Sequence, residues 1–131
     1  LVIWGNKKIA EEVKMIGLDR LMKIKGVVAA GQFSEDGKVL RQVGELPEDL
    51  MESAELCVNQ NHTCHDFLSS LNGRSSRDYG SLVGWTVWGS KYSVVTVGNT
   101  RVFIETQRGD YNQLMVDLIG SEATGPRISN Y

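Results

Sequence analysis

Cysteine is scarce in this chain, with two in 131 residues, too few for a disulfide framework and in keeping with a reducing, cytoplasmic setting. Net charge is equally scarce. Fourteen basic side chains against sixteen acidic ones leave a formal charge of −2, which gives nucleic acid or an anionic membrane no electrostatic hold. No stretch approaches the roughly 18 consecutive apolar residues of a membrane span. The opening Leu-Val-Ile-Trp is too short for a signal-peptide core, and Lys7 and Lys8 follow it rather than precede it. The missing initiator Met reads as trimming or as part of a longer product. Enzymatic signatures are also lacking. The run from Gly26 to Gly31 has no Lys-Ser/Thr after it and falls in a predicted strand, so it is no phosphate loop. Neither a Gly-x-Ser-x-Gly elbow nor a His-Glu-x-x-His zinc helix occurs. These absences argue for a non-catalytic protein without a cofactor.

The hydrophobic fraction of 41% supplies the core of one globular domain. Ile9, Val13 and Ile16 recur at helical spacing, and Leu18, Leu21 and Met22 continue it past Gly17 to Lys25. Val27 to Phe33 reads as a strand, Ser34-Glu35-Asp36-Gly37 as a hairpin loop, and Lys38 to Val43 as the returning strand. Pro47 suits the first turn of a long helix, with Glu48 and Asp49 at its positive end. That helix is expected to run to Leu71 and stop at Asn72-Gly73. Its main stripe is Leu50, Ala54, Cys57, Asn61, Cys64, Leu68 and Leu71, widened by Met51 and Val58 on one side and by Leu56 and Phe67 on the other. An arc so wide predicts a helix that covers a sheet and meets something else as well. Trp85 to Thr106, WTVWGSKYSVVTVGNTRVFIET, breaks at Gly89-Ser90 and Gly98-Asn99 into a three-strand meander. Asp110 and Gln113 resemble a capping box for a last helix whose face is Tyr111, Leu114, Met115, Leu118 and Ile119, ending at Gly120. Residues 121–131 read as a polar tail. Apolar residues on both faces of the strands call for cover on both sides: the long helix on one, the terminal helices on the other.

This order, carried by LDRLMKIKGVVAAGQFSEDGKVL, the long helix, and VFIET followed by DYNQLMVDLIG, resembles the roadblock/LC7 superfamily, and in particular a prokaryotic branch of unknown function. The resemblance spans residues 18–120, leaving 1–17 as a helical extension. It implies an α+β fold, α-ββ-α-βββ-α, with a profilin-like five-stranded antiparallel sheet. It further implies a homodimer in which the third strand and the long helix meet their symmetry mates. The expected interface is Cys57, Asn61, Cys64 and Leu68 on the helix with Trp85, Val87 and Trp88 on the strand. Relatives of this kind act as small-GTPase regulators, dynein light chains or assembly scaffolds, so a GTPase or an enzyme complex is the implied partner. The rival reading is a redox- or metal-linked accessory of a larger enzyme complex, for which sulfur metabolism is a family-level association.

The rival rests on Cys57, Cys64 and His65, which share one side of the long helix. Two thiolates and an imidazole suit zinc or copper(I). Two turns, about 10 Å, nevertheless separate the cysteines, too far for one ion or an intrachain disulfide. The plainer reading makes both of them small core hydrophobes; an antiparallel helix mate would instead bring Cys57 to a second copy's Cys64. Asn61 interrupts the stripe, either to fix register at a helix interface or to meet water. Trp85 and Trp88 have opposite strand parity, which favours packing over a stacking platform. Arg74, Arg77, Arg101 and Arg108 read as scattered surface charge, with a small anion-binding patch as the alternative. The acidic group Glu45, Glu48, Asp49, Glu52 and Glu55 reads as a solvated helix face, with Glu48 and Glu52 able to engage a basic partner.

Overall fold

The computed structural model describes residues 17–45 and 53–123. A helical turn at residues 17–21 leads through Ile24 into β1 (Val27–Phe33) and β2 (Val39–Gly44). The long helix α1 (Ala54–Arg74) follows, then β3 (Gly84–Trp88), β4 (Tyr92–Val97) and β5 (Thr100–Glu105), and last α2 (Tyr111–Ala123). The strands make one antiparallel sheet in the order β2-β1-β5-β4-β3. The expected α+β architecture is the observed one. The predicted segment 6–16 and the predicted start of the long helix at Pro47 lie outside the described residues.

Local chemistry accounts for the hairpin between β1 and β2. Ser34 N–H donates to Lys38 O at 2.8 Å, and Gly37 supplies the positive φ of 84° that closes the loop. Glycine is required there for a second reason, since a Cβ would press into the Glu55 side chain on α1.

Both faces of the sheet are covered, by different elements. Leu18, Leu21 and Ile24 join Leu114 and Leu118 of α2 against Ala30, Val95, Val97, Val102 and Ile104. On the opposite face Ala54, Cys57 and Val58 of α1 pack on Phe33, with Val39 and Trp85 at the margin. At about 25 cal/mol per Å² of apolar area, burial of this kind is the main force fixing the layers.

Three boundaries differ from expectation. The first is the end of α1, which runs through Asn72-Gly73 to Arg74. Gly73 does not take a positive φ, because the Asn72 side chain is used elsewhere: it accepts from Tyr79 N–H at 2.7 Å and donates to Gly80 O at 3.1 Å. Ser75 N–H bonds Leu71 O at 2.9 Å and the chain leaves the helix extended. The second is the end of α2, which passes Gly120 and reaches Ala123, taking in the first residues of the predicted tail. A helical glycine costs only about 1 kcal/mol. The third is β2, displaced by one residue to Val39–Gly44. Asp110 caps α2 by accepting from Gln113 N–H at 3.1 Å. The capping box is half made, because Asp110 N–H already donates to Lys25 O (2.9 Å) and Gln113 Nε2 turns to Asp117 (2.8 Å).

Candidate functional site

Helix α1 crosses the sheet from the β1–β2 side toward β3. Ala54 and Val58 lie by Phe33; Cys57 Sγ is 4.0 Å from Arg101 on β5; and Asn61 meets Trp85 on β3. Asn61 is 1% exposed. Its Oδ1 accepts the Trp85 indole N–H at 2.5 Å and its Nδ2 donates to Gly98 O at 3.5 Å. Its amide is therefore bonded within the chain, to the edge strand and the β4–β5 turn.

The helix reaches the edge strand at Asn61, and 13 residues, His62 to Arg74, still follow. They extend about 20 Å. Every buried residue of α1 lies at or before Asn61: Ala54, Cys57, Val58 and Asn61 itself. Beyond it, Cys64, His65, Leu68 and Leu71 continue the sheet-facing stripe but are only half-buried. The second half of α1 overhangs the sheet. One flank is backed by the returning chain, where Leu82 is buried and a polar recess of about 260 Å³ opens between Ser69, Asn72, Asp78 and Ser81. The flank that carries Leu56, Thr63 and Phe67 is bare, with Leu56 68% and Phe67 65% exposed, and half-buried Gln60 and Cys64 border it. Glu55 touches the hairpin at Gly37 and Asn61 faces the Gly98 turn, both at one end of the sheet. The bare flank lies across the helix from them, toward the other half of the same face. That half holds Val87 and Tyr92, both exposed, with Val94 and Phe103 half-buried.

The two edge-strand tryptophans point to opposite faces, as their parity requires. Trp85 lies under α1, whereas Trp88 packs its ring on Tyr111 of α2 at 4.8 Å and is exposed on the other side.

The candidate ligating residues do not converge. Cys57 is buried; burial pushes its thiol up, and the neighbouring Arg101 guanidinium offsets only part of that. Cys64 Sγ accepts from Gln60 Nε2 at 3.4 Å, and His65 Nδ1 lies 3.4 Å from Asp66. Among the described residues no group of three or more His, Cys, Asp or Glu could hold a metal ion. The arginines do not gather either. Arg101 is a core residue at 1% exposure, donating to Ser53 Oγ at 2.9 Å with its guanidinium 5.5 Å from the Phe103 ring centre. Arg108 pairs with Glu105 at 3.7 Å, and Arg74 and Arg77 are exposed at the far end of α1. Sequence reasoning missed the burial of Arg101. Its signal was strand parity, which sets Arg101 with Phe103 opposite the apolar pair Val102 and Ile104. Of the acidic group, Glu45 and Glu55 are exposed, and Glu48, Asp49 and Glu52 lie outside the described residues. Among those described, no helix is long and apolar enough to cross a membrane.

Comparison with known proteins agrees with this architecture. No curated protein matches the sequence. Among solved structures, a roadblock/LC7 domain from Streptomyces avermitilis superposes with a TM-score of 0.62 at 18% identity, covering 82% of this chain and 92% of that one. At that identity the likeness concerns the fold. A family profile described as an uncharacterized conserved protein, DUF2173, matches residues 17–119. With a profile match over most of its length and this superposition, the chain belongs to the DUF2173 family and has the roadblock/LC7 fold.

Proposed function

We propose that the chain is a non-catalytic, homodimeric interaction module of the roadblock type, a scaffold or regulator for a small GTPase or an enzyme complex in the cytoplasm. One observation carries the reading: an overhanging helix with an unsupported apolar stripe, a half-bare sheet face and an open edge strand lie on the same side of one molecule. A second copy related by a two-fold axis answers all three. Its bare half-face receives Cys64, Leu68 and Leu71, and its own overhang covers Val87, Val94 and Phe103 in return. The bare flank of α1 is self-complementary about a point between Asn61 and His62. There Leu56 faces Phe67, and Gln60 faces Thr63, of an antiparallel mate.

The interface is thus Cys64, Leu68, Trp85, Val87 and Trp88, joined by Leu56 and Phe67. Cys57 and Asn61 act from beneath, holding the helix at its angle. Burying this apolar surface at the centre and leaving the polar ends of the helices outside is how homodimer interfaces are composed. Sedimentation velocity across a concentration series tests the proposal. A dimer at micromolar concentration is expected, and a monomer throughout would refute it. Phe67→Asp should convert the dimer to a folded monomer, since two carboxylates would be carried into an apolar seam.

A further inference from the structure

The recess beside the far half of α1 has two walls of different kinds. One is a face of the helix, with His65, Leu68, Ser69 and Asn72 at i, i+3, i+4 and i+7. The other is the returning chain at residues 78–82, which is tied down by its own hydrogen bonds. Asn72 accepts from Tyr79 N–H and donates to Gly80 O, and Gly80 N–H donates to Asp78 Oδ1 at 2.9 Å. Gly80 takes the positive φ of 77° that this bend needs. A ligand would meet a wall already in shape, which lowers the ordering cost of binding.

These bonds occupy the Asn72 amide and one Asp78 oxygen. The second carboxylate oxygen and the hydroxyls of Ser69 and Ser81 are left as acceptors on the two walls, beside the apolar surface of Leu68 and Leu82. Asp78 is the one carboxylate on the lining, and no lysine or arginine lines it. Among the described residues no cation pairs with Asp78, although Arg74 and Arg77 are near in sequence. The charge and the acceptors therefore favour a cation with several donors. Size narrows the choice further. A volume of about 260 Å³ is that of roughly nine waters in the liquid, below the range of about 300–1,000 Å³ in which drug-sized ligands sit.

We propose that this recess anchors one arginine side chain of a partner protein. The apolar stem lies along Leu68 and Leu82. The planar guanidinium, with five N–H donors, meets Asp78 and the two serines across the gap. A lysine ammonium carries the same charge but lacks the fork that spans both walls. The inference rests on the interaction-module reading, which supplies a protein as the source of the arginine. It is independent of the dimer, because one chain builds the whole recess, on the flank of α1 away from Leu56 and Phe67.

Titrating the isotope-labelled full chain with N-acetyl-arginine amide, followed by backbone amide chemical shifts, tests the assignment. Saturable shifts centred on Ser69, Asn72 and residues 78–82 are expected, with a dissociation constant on the order of 1 mM. N-acetyl-citrulline amide keeps the shape and loses the charge, so it should bind at least about fivefold more weakly. Asp78→Asn should bring the same loss for the arginine compound, while its Oδ1 can still accept from Gly80 N–H and keep the loop. Ser69→Phe, at an exposed helix position, fills the recess and should abolish the shifts with the fold intact by circular dichroism. Absence of saturable shifts at these amides would overturn the proposal, as would equal binding of the citrulline compound or undiminished binding by either folded variant. Tighter binding of free propylguanidinium than of the blocked arginine would also overturn it, because the recess would then serve a small guanidine rather than a protein side chain. A monomer in sedimentation with the arginine shifts intact would refute the homodimer and uphold the anchor.

Discussion

Arg101 and Cys57 show how the α1 face of the sheet is built from groups that a purely apolar layer would exclude. The guanidinium lies in a slot made by Ser53, Cys57 and Phe103. Arg101→Ala should cost about 2–4 kcal/mol, measured by denaturant unfolding, because it removes a large packed side chain and strands the polar groups around it. Arg101→Met should cost less, since it keeps the volume without a buried charge. The Cys57 thiol is held up in pKa mainly by burial. Native protein then retains its proton where the unfolded chain has lost it, so this group's contribution to stability is full below the ordinary thiol value of 9.0 and declines as pH rises above it. Cys57→Ala should flatten that alkaline slope. At pH 8 alkylation should label half-buried Cys64 first and reach Cys57 only on unfolding. Faster labelling of Cys57 would contradict the packing described. None of this was legible from composition. Ser53 and Cys57 are 48 and 44 residues from Arg101, and only the crossing of helix and sheet brings them together.

At the scale of elements, what was legible followed from local rules. The bounds of β1, the Ser34–Gly37 turn and the opposed tryptophans needed only period-2 alternation and turn chemistry. The end of α1 did not follow, because Asn72 was drawn into holding the loop at Tyr79 and Gly80, a tertiary demand that overrode its value as a stop signal. The overhang was half legible. The wide arc with Leu56 and Phe67 announced a second contact, but where the helix leaves the sheet depends on how many strands it has crossed, which no spacing encodes. Asn61 fixes that point. Asn61→Leu should cost about 1–3 kcal/mol, because it strands the Trp85 N–H and the Gly98 carbonyl. Adding Trp85→Phe should recover part of the loss, and a double-mutant cycle by thermal unfolding measures the coupling. Strict additivity would show that the two side chains do not act as a pair.

For the whole molecule, the sheet presents two different ends. At one, β2 carries a register irregularity opposite Phe33 and ends at Gly44, features that blunt an edge against casual pairing. At the other, β3 is regular along its length and flanked by apolar surface. Assembly that joins β3 to β3 closes on itself, so it should stop at two. Light scattering at rising concentration should plateau at twice the monomer mass, and growth beyond it would indicate that β2 edges also pair. The plateau should resist salt, because the residues proposed for the seam are uncharged.

The bond between Asn61 and Trp85 joins the overhanging helix to the strand where copies would meet. Whatever tilts the far end of α1, a binding partner included, pulls on an indole whose emission responds to its hydrogen bond and its wetting. The protein would thus carry an optical strain gauge at the proposed seam. Trp85 fluorescence, with Trp4→Phe and Trp88→Phe leaving it the single tryptophan, should report partner engagement and subunit exchange in one trace without any added label.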